Sequence, residues 1–207
     1  MKYNFLKFKD VFVKKVVRFL VLESILIFLY MKLSSSENLA LLVFGSSSII
    51  YSDQLLFIIK VITIMTLMYS TYHLFFYDLY NNPEFIMLRM SNKDYILKKM
   101  SLIIVFNVLY KIVTFIIMYF FFKGGIDMFD LMNGIINIIF LTLIGIMFII
   151  VVSSKRYVLL SMIFVLFLIN FVLGVNCFLI YLVISIILFI INIKVFRIQT
   201  IYDKFIR

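Results

Sequence analysis

Residues 101–122 read SLIIVFNVLYKIVTFIIMYFFF, a run that is apolar at nearly every position and broken only by Asn107, Lys111 and Thr114 among its interior residues. It is as long as the roughly 17–25 residues that cross a bilayer core as a helix. A strand of a transmembrane barrel alternates apolar and polar residues. This run does not, and neither does YLVISIILFIINI at 181–193. The stretch therefore predicts a spanning helix. Comparable runs recur at 17–33, 54–76, 131–152, 157–173 and 177–194, which makes six expected spans and leaves no soluble domain. The 207-residue chain is 65% hydrophobic, with 25 Phe and no Trp, a usage far from that of soluble domains. The expected fold is an all-α polytopic membrane protein of six transmembrane helices, forming one domain over residues 1–207.

Topology follows from charge. Lys2, Lys7, Lys9, Lys14, Lys15 and Arg18 precede the first span, and Arg89, Lys93, Lys98 and Lys99 lie between spans two and three. Lys155 and Arg156 separate spans four and five, and Lys194, Arg197, Lys204 and Arg207 follow the sixth. Most of the 20 basic residues thus fall on one side, which the positive-inside rule assigns to the cytoplasm together with both termini. The opposite loops, SSSENLALLVFGSSSIIYSD at 34–53, KGGIDMFD at 123–130 and GVN at 174–176, carry more acid than base. The net charge of +10 is then a topology signal and an anionic-lipid contact, without need of nucleic acid.

Residues 1–15 space Phe5, Phe8 and Phe12 at helical intervals beside lysines, as in an amphipathic helix lying in the cytoplasmic interface. The apolar run that follows holds Glu23 and no small-residue cleavage pattern, so it reads as an uncleaved first span. In the first outer loop, LALLVFG between serine clusters predicts a short helix resting on the outer surface.

The polar residues inside the spans are the candidate functional groups, because ionisable side chains are costly in hydrocarbon. Glu23 and Lys111 sit at depths that permit an ion pair across spans one and three. Asn107, Lys111 and Thr114 share one face of span three. Lys60, Thr63, Thr66 and Ser70 form a second stripe on span two, where Lys60 is expected to snorkel to the outer surface. Glu23, Thr63, Thr66, Asn107, Lys111 and Thr114 would line a translocation path or a subunit seam. The alternative for the Thr and Ser positions is helix–helix glue.

Between spans two and three the chain turns charged. Pro83, the only proline, follows Asn81 and Asn82 and precedes Glu84, a helix-start pattern that predicts a short cytoplasmic helix over 83–90. Ser91 with Asp94 three residues later is a variant capping box, so a second helix starts there and runs on into span three. Phe85 and Leu88 beside Arg89 present an apolar ridge with charged flanks, the form of a helix that docks in a partner's groove.

This layout, and EFIMLRMSNKDYILKK at 84–99 in particular, resembles the membrane-spanning permease subunit of a type-2 ATP-binding-cassette exporter, of the small bacterial kind serving bacteriocin and peptide export or immunity. The resemblance implies that 83–90 is the coupling helix, with Glu84, Phe85, Leu88, Arg89 and Asp94 at the ATPase contact. It implies a multi-pass protein of the cytoplasmic membrane that moves a hydrophobic or peptide substrate. It also implies a separate cytoplasmic ATPase subunit that binds ATP and Mg, and a second copy or sister permease to complete the pathway. Only LGVNC separates spans five and six here, and the outer loops are too small for a substrate-capturing domain.

This chain has no Walker motif and only 6 Gly, so no ATP site, metal or other cofactor is expected in it. An intramembrane peptidase is disfavoured, because His73 and Cys177 fall at opposite ends of different spans and one His cannot build a three-ligand metal site. Two further readings stand beside the exporter. One is a substrate-binding membrane component of the energy-coupling-factor type, against which the single alanine, Ala40, argues. The other is an immunity or scaffold protein that works without ATP.

Overall fold

The structure is a computed structural model, and it describes residues 2–33, 39–44, 54–81, 91–122, 128–154, 163, 166 and 178–197. Among these residues the secondary structure is helical. The elements are α1 (Lys2–Leu33), α2 (Leu39–Val43), α3 (Gln54–Asn81), α4 (Asn92–Phe122), α5 (Met128–Ser154) and α6 (Phe178–Val195).

Three of them contain segments long and apolar enough to cross a membrane: Gln54–Tyr77, Asn92–Phe122 and Met128–Val152. These correspond to the second, third and fourth expected spans. A shorter apolar helix, Leu179–Val195, covers the sixth. Residues 2–15 of the N-terminal segment and the first apolar run fall within the single helix α1. The fifth expected span lies outside the described residues except for Ile163 and Leu166, as does the whole of 83–90.

Local chemistry accounts for several helix ends. Ser91 caps α4: its Oγ accepts a hydrogen bond from the Asp94 backbone N–H at 3.1 Å and donates one to Asp94 Oδ2 at 2.6 Å. The serine thus satisfies one of the orphan donors of the first turn, while the aspartate sits where the helix dipole favours negative charge. At the other end of α1, Lys32 lies in the last turn, where a cation is favoured, and its Nζ sits 5.8 Å from the centre of the Phe28 ring.

α5 is the axis of the bundle. Its most apolar window is 72% buried, against 44% and 39% for those of α3 and α4. It packs on α2, α3, α4 and α6, while α1 packs on α3 and α4. Two glycines permit this closeness, since a Cβ on Gly145 would approach Met68 Sδ of α3 to 2.9 Å, and one on Gly134 would meet Phe44 atoms at 2.6 Å. An aromatic cluster fastens α1: Phe12 lies 5.8 Å from His73 and 5.7 Å from Phe106, and Phe19 lies 5.3 Å from Tyr69.

The surface is inverted relative to a soluble bundle. On α4, Leu102, Val105, Leu109, Val113, Ile116 and Phe120 recur at helical spacing and are 44–75% exposed, while Asn107, Lys111 and Thr114 on the opposite face are fully buried. Apolar-out and polar-in is the arrangement of a helix solvated by lipid, where hydrocarbon is the solvent and polar groups must find partners inside.

α2 departs from the sequence expectation. The segment does form a short helix, but it does not rest on an outer surface. Leu39, Ala40, Leu42, Val43 and Phe44 are 0–4% exposed, and α2 touches α1, α3, α4 and α5. Two features hold it in. Gly134 leaves room for the Phe44 ring, and polar side chains of α4 and α5 reach its terminal carbonyls, as described next. Residues with so little polar side-chain surface cost little to submerge once those carbonyls have donors.

Candidate functional site

The polar residues predicted on spans one to three converge inside the bundle. Lys111 of α4 forms an ion pair with Glu23 of α1, and both side chains are 0% exposed. The carboxylate is further held by Thr63 of α3, whose hydroxyl donates to Glu23 Oε1 at 2.7 Å, and by Tyr110, which donates to Oε2 at 3.1 Å. Beyond Glu23, Lys111 Nζ donates to the Val43 carbonyl at 3.1 Å and to Thr63 Oγ1 at 3.2 Å.

An ammonium has three hydrogens, and here each has an acceptor on a different element: Glu23 on α1, Val43 on α2 and Thr63 on α3. The carboxylate in turn receives donors from α3 and α4. The charges cancel and every strong hydrogen-bonding group of the pair is engaged, which is the condition for an ion pair to persist out of water. The sequence geometry that permitted the pair is α4's own register. Lys111 lies four residues after Asn107 and three before Thr114, so all three face inward.

Along the same α3–α4 seam lies a second, uncharged cluster. Asn107 accepts from Ser70 Oγ at 2.5 Å and donates to Thr71 at 3.2 Å and to Thr142 of α5 at 3.0 Å. Farther on, Lys99 Nζ donates to the Leu74 carbonyl at 2.8 Å. Thr66 and Thr114 are buried and donate to carbonyls of their own helices, Ile62 at 2.8 Å and Tyr110 at 3.0 Å; Thr66 is also hydrogen-bonded to the Tyr110 side chain of α4, whereas Thr114 turns back on its own helix. Lys60 is 2% exposed, enclosed rather than extended to an outer surface as its position near the span end suggested.

α2 is clasped from two sides. Asn137 of α5 donates to the Phe44 carbonyl at 3.0 Å while Lys111 holds Val43. These bonds satisfy carbonyls that a helix terminus leaves open, and a cation at that end also suits the helix dipole. Tyr110, Asn137, Thr142 and the Val43 carbonyl are parts of the site that sequence reading missed. Tyr110 and Asn137 carried a faint signal: one adjoins Lys111, and the other is one of two asparagines, with Asn133, four apart on an otherwise apolar helix.

Of the proposed coupling residues, Asp94 caps α4 with Ser91, whereas Glu84, Phe85, Leu88 and Arg89 lie outside the described residues. Cys177 also lies outside the described residues. Among the described residues, no three His, Cys, Asp or Glu side chains gather to hold a metal ion. The site as built can bind charge, transmit displacement between α1, α2, α3 and α4, or brace them.

Comparison with protein-family models, with curated proteins and with solved structures yields no match to this chain.

Proposed function

We propose that this protein is the permease subunit of a type-2 ATP-binding-cassette exporter, moving a hydrophobic or peptide substrate such as a bacteriocin, toxin or antimicrobial peptide across the cytoplasmic membrane. In this reading the chain crosses six times with both termini in the cytoplasm. A separate ATPase engages residues 83–94, and a second permease copy or sister chain completes the path. The observation that carries a transport reading over a static one is the fully buried Glu23–Lys111 pair, joined to four elements in a lipid-facing bundle. Apolar packing alone can hold such a bundle, and an isosteric apolar pair is often no less stable than a buried ion pair. A charge pair kept at such a junction is the kind of group that marks a substrate or ion pathway. The ATPase partner is inferred from the resemblance of 84–99 and from the charged, proline-led segment between α3 and α4.

The test is gentle extraction from the native membrane, mass determination of what remains bound, and ATPase assay of the same sample. A stoichiometric ATPase of roughly domain size, lost on Arg89→Glu while the protein still inserts, is the expected result. Recovery of the protein alone or only with itself, without ATPase activity, would reject the exporter reading. It would favour the second one, an immunity or scaffold protein. The saturation of the Glu23–Lys111 centre supports that alternative, because every hydrogen of the ammonium is already engaged within the chain.

A further inference from the structure

α1 turns one face away from the bundle, and that face is built as two unlike ridges. Val13, Val17, Val21, Ile25, Leu29 and Leu33 recur every four residues and are 47–75% exposed, an apolar row like the outer face of α4. Beside it runs the row Lys14, Arg18, Leu22 and Leu26, basic toward the N-terminus and aliphatic beyond it. Between the rows lies an apolar furrow lined by Val17, Arg18, Val21, Leu22, Ile25 and Leu26. Arg18 is the charged residue among them. It is exposed, and among the described residues it has no ion-pair or hydrogen-bond partner. The neighbouring Lys15 is engaged elsewhere, with its Nζ 5.5 Å from the centre of the Tyr69 ring of α3. Asp10 stands one turn before Lys14 on the same row, so the cation that defines the furrow is Arg18.

We propose that this furrow binds an anionic phospholipid, with the lipid phosphate on Arg18 and one acyl chain laid between the two rows toward Ile25 and Leu26. A furrow walled by a single helix does not enclose a soluble molecule. Whatever fills it has its other flank in the bilayer, which leaves a lipid chain or a second helix. Charge decides between them. A second copy packed here about a two-fold axis along the membrane normal would bring the two Arg18 side chains to the same depth, with Glu23 of each copy already held by its own Lys111. A phospholipid offers the complementary pattern: an anionic phosphate, which a guanidinium binds through paired hydrogen bonds, followed by hydrocarbon. An arginine at this position can lay its aliphatic stem along the furrow and carry its charge to the headgroups. Arg18 and Leu26 are separated by about 12 Å along the helix, so headgroup and chain contacts fall in the order of the lipid itself. The site needs only that this face of α1 meets lipid, so it stands or falls apart from the exporter reading.

The experiment is photo-crosslinking of the full chain in phosphatidylcholine nanodiscs doped with phosphatidylglycerol. The phosphatidylglycerol carries a diazirine about 6–12 Å along one acyl chain, the span from Arg18 to Leu22 and Leu26. Mass spectrometry of the digested protein should place adducts on residues 21–26. Arg18→Gln should lower that yield about fivefold, the effect of one cation near an anionic lipid, and Arg18→Lys should keep an intermediate level. Lys98→Gln, at an exposed lysine of α4, should leave the yield unchanged. A phosphatidylcholine probe with the same diazirine should label residues 21–26 about fivefold less than the phosphatidylglycerol probe. Equal labelling by the two probes, or an equal effect of Arg18→Gln and Lys98→Gln, would overturn the proposal and reduce the furrow to ordinary bilayer contact. So would rapid disulfide linkage between two chains bearing Val21→Cys in a Cys177→Ser background, which would give the furrow to a second copy.

Discussion

At Lys111 the decisive quantity is the cost of a charge without its partner. Removing either member of a buried ion pair typically destabilises by about 3–5 kcal/mol, whereas exchanging both for apolar or neutral groups is often close to neutral. Glu23→Gln and Lys111→Met should therefore each lower the thermal midpoint of the detergent-solubilised protein substantially. The double variant should recover most of that loss, and additive losses would mean that the two side chains act independently. Thr63→Val removes both the hydrogen bond donated to the Glu23 carboxylate and the one accepted from the Lys111 ammonium, and should cost about 1.5–3 kcal/mol, the range for hydrogen bonds to charged groups. The pair itself was legible in the sequence, because Glu23 and Lys111 have computable depths and Lys111 shares a face with Asn107. The Val43 carbonyl was not legible. A main-chain acceptor has no residue signature, and its use by Lys111 depends on a contact between residues 68 apart in sequence.

Elements inherit these contacts unequally. The start of α4 was readable from SNKD alone, since a cap is a matter of residues three apart: Ser91 Oγ accepts from the Asp94 N–H as a capping box requires, while the Asp94 carboxylate accepts from the Ser91 hydroxyl. Ser91→Ala should cost about 1 kcal/mol, the ordinary loss for an N-cap, and Ser91→Asp or Ser91→Asn should restore most of it, measured by chemical denaturation in mild detergent. A null effect of the alanine would mean that the first turn of α4 is held by tertiary contacts instead. α2 shows the opposite case. LALLVF could be read as a helix from its composition, but its depth is set by Gly134 and by Asn137, which is 93 residues from Phe44. An apolar hexamer between serines suits a membrane surface as well as an interior, and local patterning cannot choose between them.

For the molecule as a whole, the inverted surface is what distinguishes a membrane bundle from a soluble one. Leu109 lies two residues from Lys111 on the same helix, yet it is 54% exposed while Lys111 is 0% exposed, so one register places a charge in the bundle and an aliphatic side chain outside it. A hydrophobic-length count could find α3, α4 and α5 because their spans exceed the window of a bilayer crossing. Which face of each turns outward follows from where the polar partners are, and Asn107 and Lys111 gave that face for α4 before any contact was known. Leu109→Arg is the corresponding test. In water an exposed leucine exchanged for arginine changes stability by no more than about 0.5 kcal/mol. At the centre of a spanning helix the same change carries an apparent insertion cost of about 2.5–3.5 kcal/mol. The variant should therefore be sharply depleted from the membrane fraction, and Leu109→Ala should be retained near the level of the unaltered chain. Equal recovery of the arginine and alanine variants would place that face of α4 against water or protein instead of lipid.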